Sequence, residues 1–332
     1  MRAAGADPAR QREWNATLRE YHTSDTAMQT CLDLASIAAR TDLPVLILGE
    51  TGTGKTLLAR VIHNSSRRAR NPFIAFNAAA LSETLLDSQL FGHEKGAFTG
   101  ADRRVKGKFE LADGGTLFLD EIADMSPTAQ AKILRAVEYG EFERLGSELL
   151  LEADVRLISA THLPIARYLQ TDTFRKDLFY RISGITLRVP ALRDRPNDLR
   201  SLMASEIATA SAAQGKAIVG LSRAAADCLL AYHWPGNLRE LRRVIDTAIA
   251  VTESDVIEVE ALLMESGAGP DEQGGGPTAL PPARPPEGDL SLAAAEQRHI
   301  LAVLEQCGNN KRRAAKLLGL ARSTLDRKLA SS

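Results

Sequence analysis

The feature that most constrains this chain is an eight-residue run, Gly49-Glu50-Thr51-Gly52-Thr53-Gly54-Lys55-Thr56, set directly behind the apolar run Val45–Leu48. It has the form GxxxxGK[ST], preceded by strand-forming residues and followed by a helical pattern. Glycines let successive backbone N–H groups curl around an anion, and the helix that follows offers its N-terminus to the same charge. The eight residues are therefore expected to cradle the phosphates of a nucleotide. Lys55 is expected to reach the β- and γ-phosphates, and the Thr56 hydroxyl to ligate Mg²⁺.

The surrounding pattern predicts the sheet on which such a loop must sit. Short apolar or β-branched runs at 45–48, 73–76, 116–119, 155–160 and 185–189 alternate with helical segments. That spacing predicts an α/β fold, a parallel sheet covered by helices on both faces. The third run ends in Asp120-Glu121, delivering two acids to the strand's C-terminal end, where open α/β sheets bind ligands. Asp120 is expected to hold Mg²⁺, and Glu121 to orient or deprotonate an attacking water. An apolar run ending in two acids is weak evidence alone. Paired with the glycine-rich loop about 70 residues upstream it points to hydrolysis of ATP as well as binding.

Composition narrows the class. Three cysteines, Cys31, Cys228 and Cys307, lack the spacing of a zinc site or a disulfide framework. No apolar stretch approaches the roughly 18 residues of a membrane span, and no signal-peptide layout opens the chain, so the expected location is the cytoplasm, with no membrane partner. The net charge of -1 conceals an asymmetry: residues 296–332 carry eight Lys or Arg against three acids, a local +5 that leaves -6 on the rest. A basic end on an acidic body suggests a small nucleic-acid module.

One further run makes the chain recognisable. Gly96-Ala97-Phe98-Thr99-Gly100-Ala101 is the GAFTGA motif, and with it residues 24–332 resemble the sigma-54 activators, the bacterial enhancer-binding proteins of the AAA+ superfamily. Physically the motif reads as a glycine-flanked tip with an exposed aromatic and a hydroxyl, suited to a contact surface that moves. The resemblance implies that these six residues touch the sigma factor of a sigma-54 RNA polymerase holoenzyme. It implies also a hexameric ring, in which Arg175 and Arg181 reach the γ-phosphate held by a neighbouring subunit. A planar, permanently charged guanidinium suits that charge. By the same resemblance Asn77 holds Glu121, Thr161 senses the γ-phosphate, and Arg239 is the lid arginine facing the nucleotide. Asn237 is expected to cap the helix that carries Arg239. The sequence departs from the family at His162, where Asn is usual.

Domain boundaries follow from composition: a leader at 1–23, an ATPase subdomain at 24–194, an all-helical lid at 195–264, a linker at 265–289 and a terminal module at 290–332. The linker has twelve Gly or Pro among 25 residues. The terminal module resembles a Fis-type helix-turn-helix. Its second helix is expected to enter the major groove of double-stranded DNA, with Arg322, Ser323, Thr324, Arg327 and Lys328 as contacts. Asp326 replaces a frequent aromatic there. About 23 residues before Ser24 leave no room for a sensing domain of some 50 residues, so control is expected from a separate regulatory protein or from expression level.

Overall fold

The computed structural model describes residues 15–79, 82–171 and 173–264 together with Lys311. The linker and the basic terminal module fall outside this set, apart from Lys311. In chain order the ATPase portion runs α1 (Thr26–Ala39), β1 (Val45–Leu48), α2 (Lys55–Asn64), β2 (Phe73–Asn77), α3 (Glu83–Phe91), β3 (Gly92–His93), β4 (Val105–Lys106), α4 (Lys108–Leu111), β5 (Thr116–Asp120), α5 (Pro127–Tyr139), β6 (Glu141–Glu143), β7 (Leu150–Glu152), β8 (Arg156–Thr161), α6 (Ile165–Gln170), α7 (Lys176–Ile182) and β9 (Ile185–Arg188). The lid adds α8 (Pro196–Gln214), β10 (Gly220–Leu221), α9 (Arg223–Ala231), α10 (Asn237–Val251) and β11 (Val256–Ile257).

Five strands form one parallel sheet in the order β2-β5-β8-β1-β9. They are the five apolar runs read from the sequence. The sheet's two faces separate by the period of two that pleating imposes. Val45, Ile47, Phe118, Ile158 and Ala160 point to the face packed by α1 and α2, whereas Leu46, Leu117, Leu119 and Leu157 point to the face packed by α3, α5 and α7. Helix ends follow local chemistry. Ser126 accepts from the Ala129 amide to start α5, Pro127 occupies its first turn, and Gly140 closes it at φ 74°.

The lid is a separate apolar cluster built around the fully buried Trp234, whose indole Nε1 donates to Leu229 O at 3.0 Å. Helix α10 turns Leu238, Leu241, Val244, Ile245, Ala248 and Ile249 inward at helical spacing. The expectation of an all-helical lid needs correction, because β10 and β11 pair in a short parallel ladder, Gly220 with Val256 and Leu221 with Ile257. Two-residue strands are too short to show an alternating pattern. Likewise β3–β4 and the β6–β7 hairpin were not anticipated. No helix among the described residues is long and apolar enough to cross a membrane.

Candidate active site

The phosphate loop leaves β1, which lies between β8 and β9. The chain leaves β1 toward the β2 edge and leaves its neighbour β8 toward β9, so the connections from these two adjacent strands depart in opposite directions. Gly52 and Gly54 take φ of 82° and 97°, values that favour glycine. A side chain on Gly52 would also meet Gly236 O of the lid at 2.2 Å. A cavity of about 570 Å³ is lined by Thr51, Gly52, Gly54, Lys55 and Thr56 of the loop, by Asp120 and Glu121, and by Arg239 of α10. The structure thus brings together groups that lie up to 188 residues apart in sequence.

The other three loop residues hold the loop's shape. Gly49 N donates to Thr161 O at 3.3 Å, and the buried Thr53 hydroxyl donates to Glu50 O at 2.8 Å. Glu50 receives both arms of Arg193, one at 2.8 Å, and this pairing holds its carboxyl below the usual range. Asn237 Nδ2 donates to Glu50 Oε2 at 3.2 Å and to Thr51 O at 3.1 Å, while Leu238 N donates to Gly52 O at 3.0 Å. Asn237 is fully buried at φ 52°, and its Oδ1 accepts from Leu192 N at 2.7 Å. It does not cap α10: the preceding residue is Gly236, whose amide is satisfied by Glu240 Oε2 at 2.8 Å. The expected cap is instead a bracket between lid and phosphate loop.

Charge in the cavity is balanced between the buried Lys55 and the partly buried Asp120 and Glu121. Lys55 Nζ donates to Gly49 O and Glu50 O at 2.8 and 3.2 Å. Burial pushes its ammonium below the ordinary lysine value, opposed by Glu121 and Asp120. Asp120 is pushed up by burial and by Glu121, opposed by Lys55 and by a hydrogen bond with the Thr56 side chain. Glu121 adopts φ 55° and ψ 46°, the left-handed region, where a non-glycine residue costs on the order of 1–3 kcal/mol.

Two expected contacts take another form. Asn77 pairs in register with Asp120, but its Oδ1 accepts from Ala79 N at 2.8 Å in a tight local turn. The Glu121 carboxylate is held by His162, through the backbone amide at 3.2 Å and Nδ1 at 2.8 Å. Thr161 is buried and outside the cavity lining, its hydroxyl accepting from Leu163 N at 3.1 Å. The side chain at 161 faces inward, so 162 is the position whose side chain reaches Glu121.

Arg175 and Arg181 do not line the cavity. Arg175 is exposed and paired with Asp177 through both nitrogen arms, at 3.1 and 2.7 Å. Arg181, also exposed, donates to Glu138 O at 3.1 Å, at the carboxyl end of α5. The GAFTGA run forms a closed tip in which Gly96 N donates to Ala101 O at 2.8 Å and Ala101 N to Phe98 O at 3.0 Å. Thr99 is exposed as expected. Phe98 is only half exposed, because its ring lies edge-on to His93 with centroids 5.0 Å apart. Arg322, Ser323, Thr324, Arg327 and Lys328 lie outside the described residues. Sequence reasoning missed Arg242, Arg243, Asp246 and Thr247, which also line the cavity. Their spacing from Arg239, three to eight residues on, places them on the same side of α10 and was the available signal.

A five-stranded parallel sheet whose first strand feeds a phosphate loop, with a helical lid bonded back onto that loop, is the build of an AAA+ ATPase. Residues 21–188 match the model of the Sigma-54 interaction domain, 193–275 that of the AAA+ ATPase lid domain, and 291–331 that of the bacterial regulatory protein, Fis family. Transcriptional regulatory protein ZraR of Klebsiella oxytoca is 44% identical over 307 residues, 92% of this chain and 67% of the relative. The Nif-specific regulatory protein of Klebsiella pneumoniae is 41% identical over 295 residues, 89% of this chain and 55% of the relative. The crystal structure of NtrX from Brucella abortus in complex with ADP superposes with a TM-score of 0.70 at 32% identity, covering 98% of this chain and 71% of that one. A second NtrX structure holds ATP and gives a TM-score of 0.68. The chain belongs to the sigma-54 activator family: it is an ATP-binding AAA+ ATPase of sigma-54-dependent transcriptional activation, carrying a Fis-type DNA-binding domain.

Proposed function

We propose that the chain assembles into a hexameric cytoplasmic ring whose ATP hydrolysis remodels sigma-54 RNA polymerase into the open complex. The observation that carries this reading is the single cavity shared by Lys55, Thr56, Asp120, Glu121 and the lid's Arg239. Lys55 neutralises the β- and γ-phosphates while loop amides hold them. A neighbouring cavity of about 650 Å³ shares Leu57, Leu238, Arg242 and Asp246 with the first, and Tyr21 and Leu202 add to its walls. It offers room for the base and ribose.

Thr56 and Asp120 suit Mg²⁺. Their hydroxyl and carboxylate meet, and a two-oxygen protein set fits an ion that keeps its waters and takes phosphate oxygens. Among the described residues no cluster of three His, Cys, Asp or Glu offers a richer metal cage. When bound, Mg²⁺ neutralises charge developing on the phosphates. Glu121 orients the attacking water. Arg175 and Arg181, on the exposed face of the α7 region, serve the site of the adjacent subunit. Gly96, Ala97, Phe98, Thr99, Gly100 and Ala101 form the surface that meets the sigma factor. The subdomains divide near 194, 264 and 289, and Arg322, Ser323, Thr324, Arg327 and Lys328 contact upstream DNA.

Two substitutions test the site. Lys55→Ala abolishes ATP binding, whereas Glu121→Gln binds ATP and stalls, read by nucleotide titration and by phosphate release. Normal turnover in Glu121→Gln removes Glu121 from the hydrolytic role.

A further inference from the structure

We propose that His162 is the positioning residue for Glu121, fixing the carboxylate that orients the attacking water. The inference rests on Glu121 having that hydrolytic role. Strands β5 and β8 are neighbours, with Leu119 paired to Ser159, so the residues just beyond their ends emerge side by side. Thr161 turns inward and accepts the Leu163 amide, which directs the next side chain toward Glu121. His162 then grips a single carboxylate oxygen at two points: its backbone amide lies 3.2 Å from Oε2, and its Nδ1 lies 2.8 Å from the same atom.

The chemistry fixes the imidazole's orientation. A carboxylate oxygen only accepts, so Nδ1 carries the proton and Nε2 faces away. Both bonds fall on Oε2, and Oε1 accepts no hydrogen bond among the described residues. One oxygen anchors the side chain while the other keeps its lone pairs for water. The anchor matters because Glu121 sits at φ 55°, a conformation its own backbone does not favour. Asn77 is engaged with Ala79 N and does not supply the restraint.

The test compares four proteins at a subunit concentration where turnover per subunit no longer rises: the unsubstituted chain, His162→Ala, His162→Asn and His162→Gln. The amide nitrogen of Asn falls near the place of imidazole Nδ1, and that of Gln near the place of Nε2. Misplacement of a reacting group by about 1 Å can cost on the order of a hundredfold. His162→Ala is therefore expected to lower kcat by about 10- to 100-fold with KM for ATP within about twofold. His162→Asn is expected to recover most of that loss, and His162→Gln little of it. Full activity in His162→Ala overturns the assignment. So does rescue by Gln equal to or better than rescue by Asn, or a rise in KM at unchanged kcat, which marks a nucleotide contact. Should His162→Ala fail to fold, the Asn and Gln variants still decide. Normal turnover in Glu121→Gln is the separate result that removes the underlying reading.

Discussion

Asn237, fully buried in the lid, donates from Nδ2 to Glu50 Oε2 at 3.2 Å and to Thr51 O at 3.1 Å, so one side chain ties the lid to the phosphate loop. The same residue accepts from Leu192 N at the lid's entrance. The lid is therefore tied to the shape of the loop through hydrogen bonds. Asn237→Ala leaves a buried amide and the loop's carbonyl without their partner, a loss of about 1–3 kcal/mol for each unsatisfied buried group. Denaturant unfolding should register this destabilisation, and nucleotide titration should register weaker ATP binding. Unchanged affinity in a folded variant would show that the bracket is structural only.

Hydrolysis in trans has its own test. Neither Arg175 nor Arg181 reaches the cavity of its own chain, and both are exposed. An arginine supplied across an interface contributes about 10³–10⁵-fold to phosphoryl-transfer rates. Arg175→Ala and Arg181→Ala should each reduce turnover by at least about a hundredfold. Mixing Arg175→Ala with Lys55→Ala subunits should restore part of the rate, because some interfaces then pair an intact loop with an intact arginine. Mixed rings verified by size that remain inactive would count against this arrangement.

Stability should fall in mild acid through His63. The ring is buried beneath the sheet, its Nδ1 lies 2.9 Å from the Thr116 hydroxyl, and burial with Arg60 and Arg156 nearby pushes its pKa down to about 4. The unfolded chain binds that proton near pH 6.5, so unfolding takes up a proton between about pH 6.5 and 4. The His63 contribution is fully present above pH 6.5 and is lost as pH falls toward 4. The loss should be on the order of 1–3 kcal/mol. Unfolding free energies from pH 7 to 4 should show a shallower decline in His63→Gln. Parallel declines in the two proteins would mean that other groups carry the acid sensitivity.

The sheet was readable from sequence because each strand is a short apolar or β-branched run, buried in the three central strands, and the five runs match the observed strands to within one residue at either end. The loop and the acid pair were readable because their spacing carries the chemistry, and Arg239 through the family resemblance. What escaped the sequence was the choice among competing hydrogen-bond partners. Asn77 could close a turn or hold Glu121, and it closes the turn. Asn237 could cap α10 or bracket the loop, and burial beside Glu50 selects the bracket. Phe98 looked exposed between glycines, but His93, five residues back, offers it a face. Ladders of two residues, as in β10 and β11, leave no periodic trace.

In the proposed function, energy from ATP reaches sigma-54 RNA polymerase through the GAFTGA tip. Thr99 is exposed on that tip and is absent from the cavity lining. The most direct measurement is open-complex formation at a sigma-54 promoter, by permanganate reactivity of the melted strand, with ATP turnover followed in the same samples. The unsubstituted chain should melt the promoter only when ATP is hydrolysed, and Lys55→Ala should do neither. Thr99→Ala should hydrolyse ATP within about twofold of normal yet leave the promoter closed. Promoter melting by Lys55→Ala, or full melting by Thr99→Ala, would contradict the account.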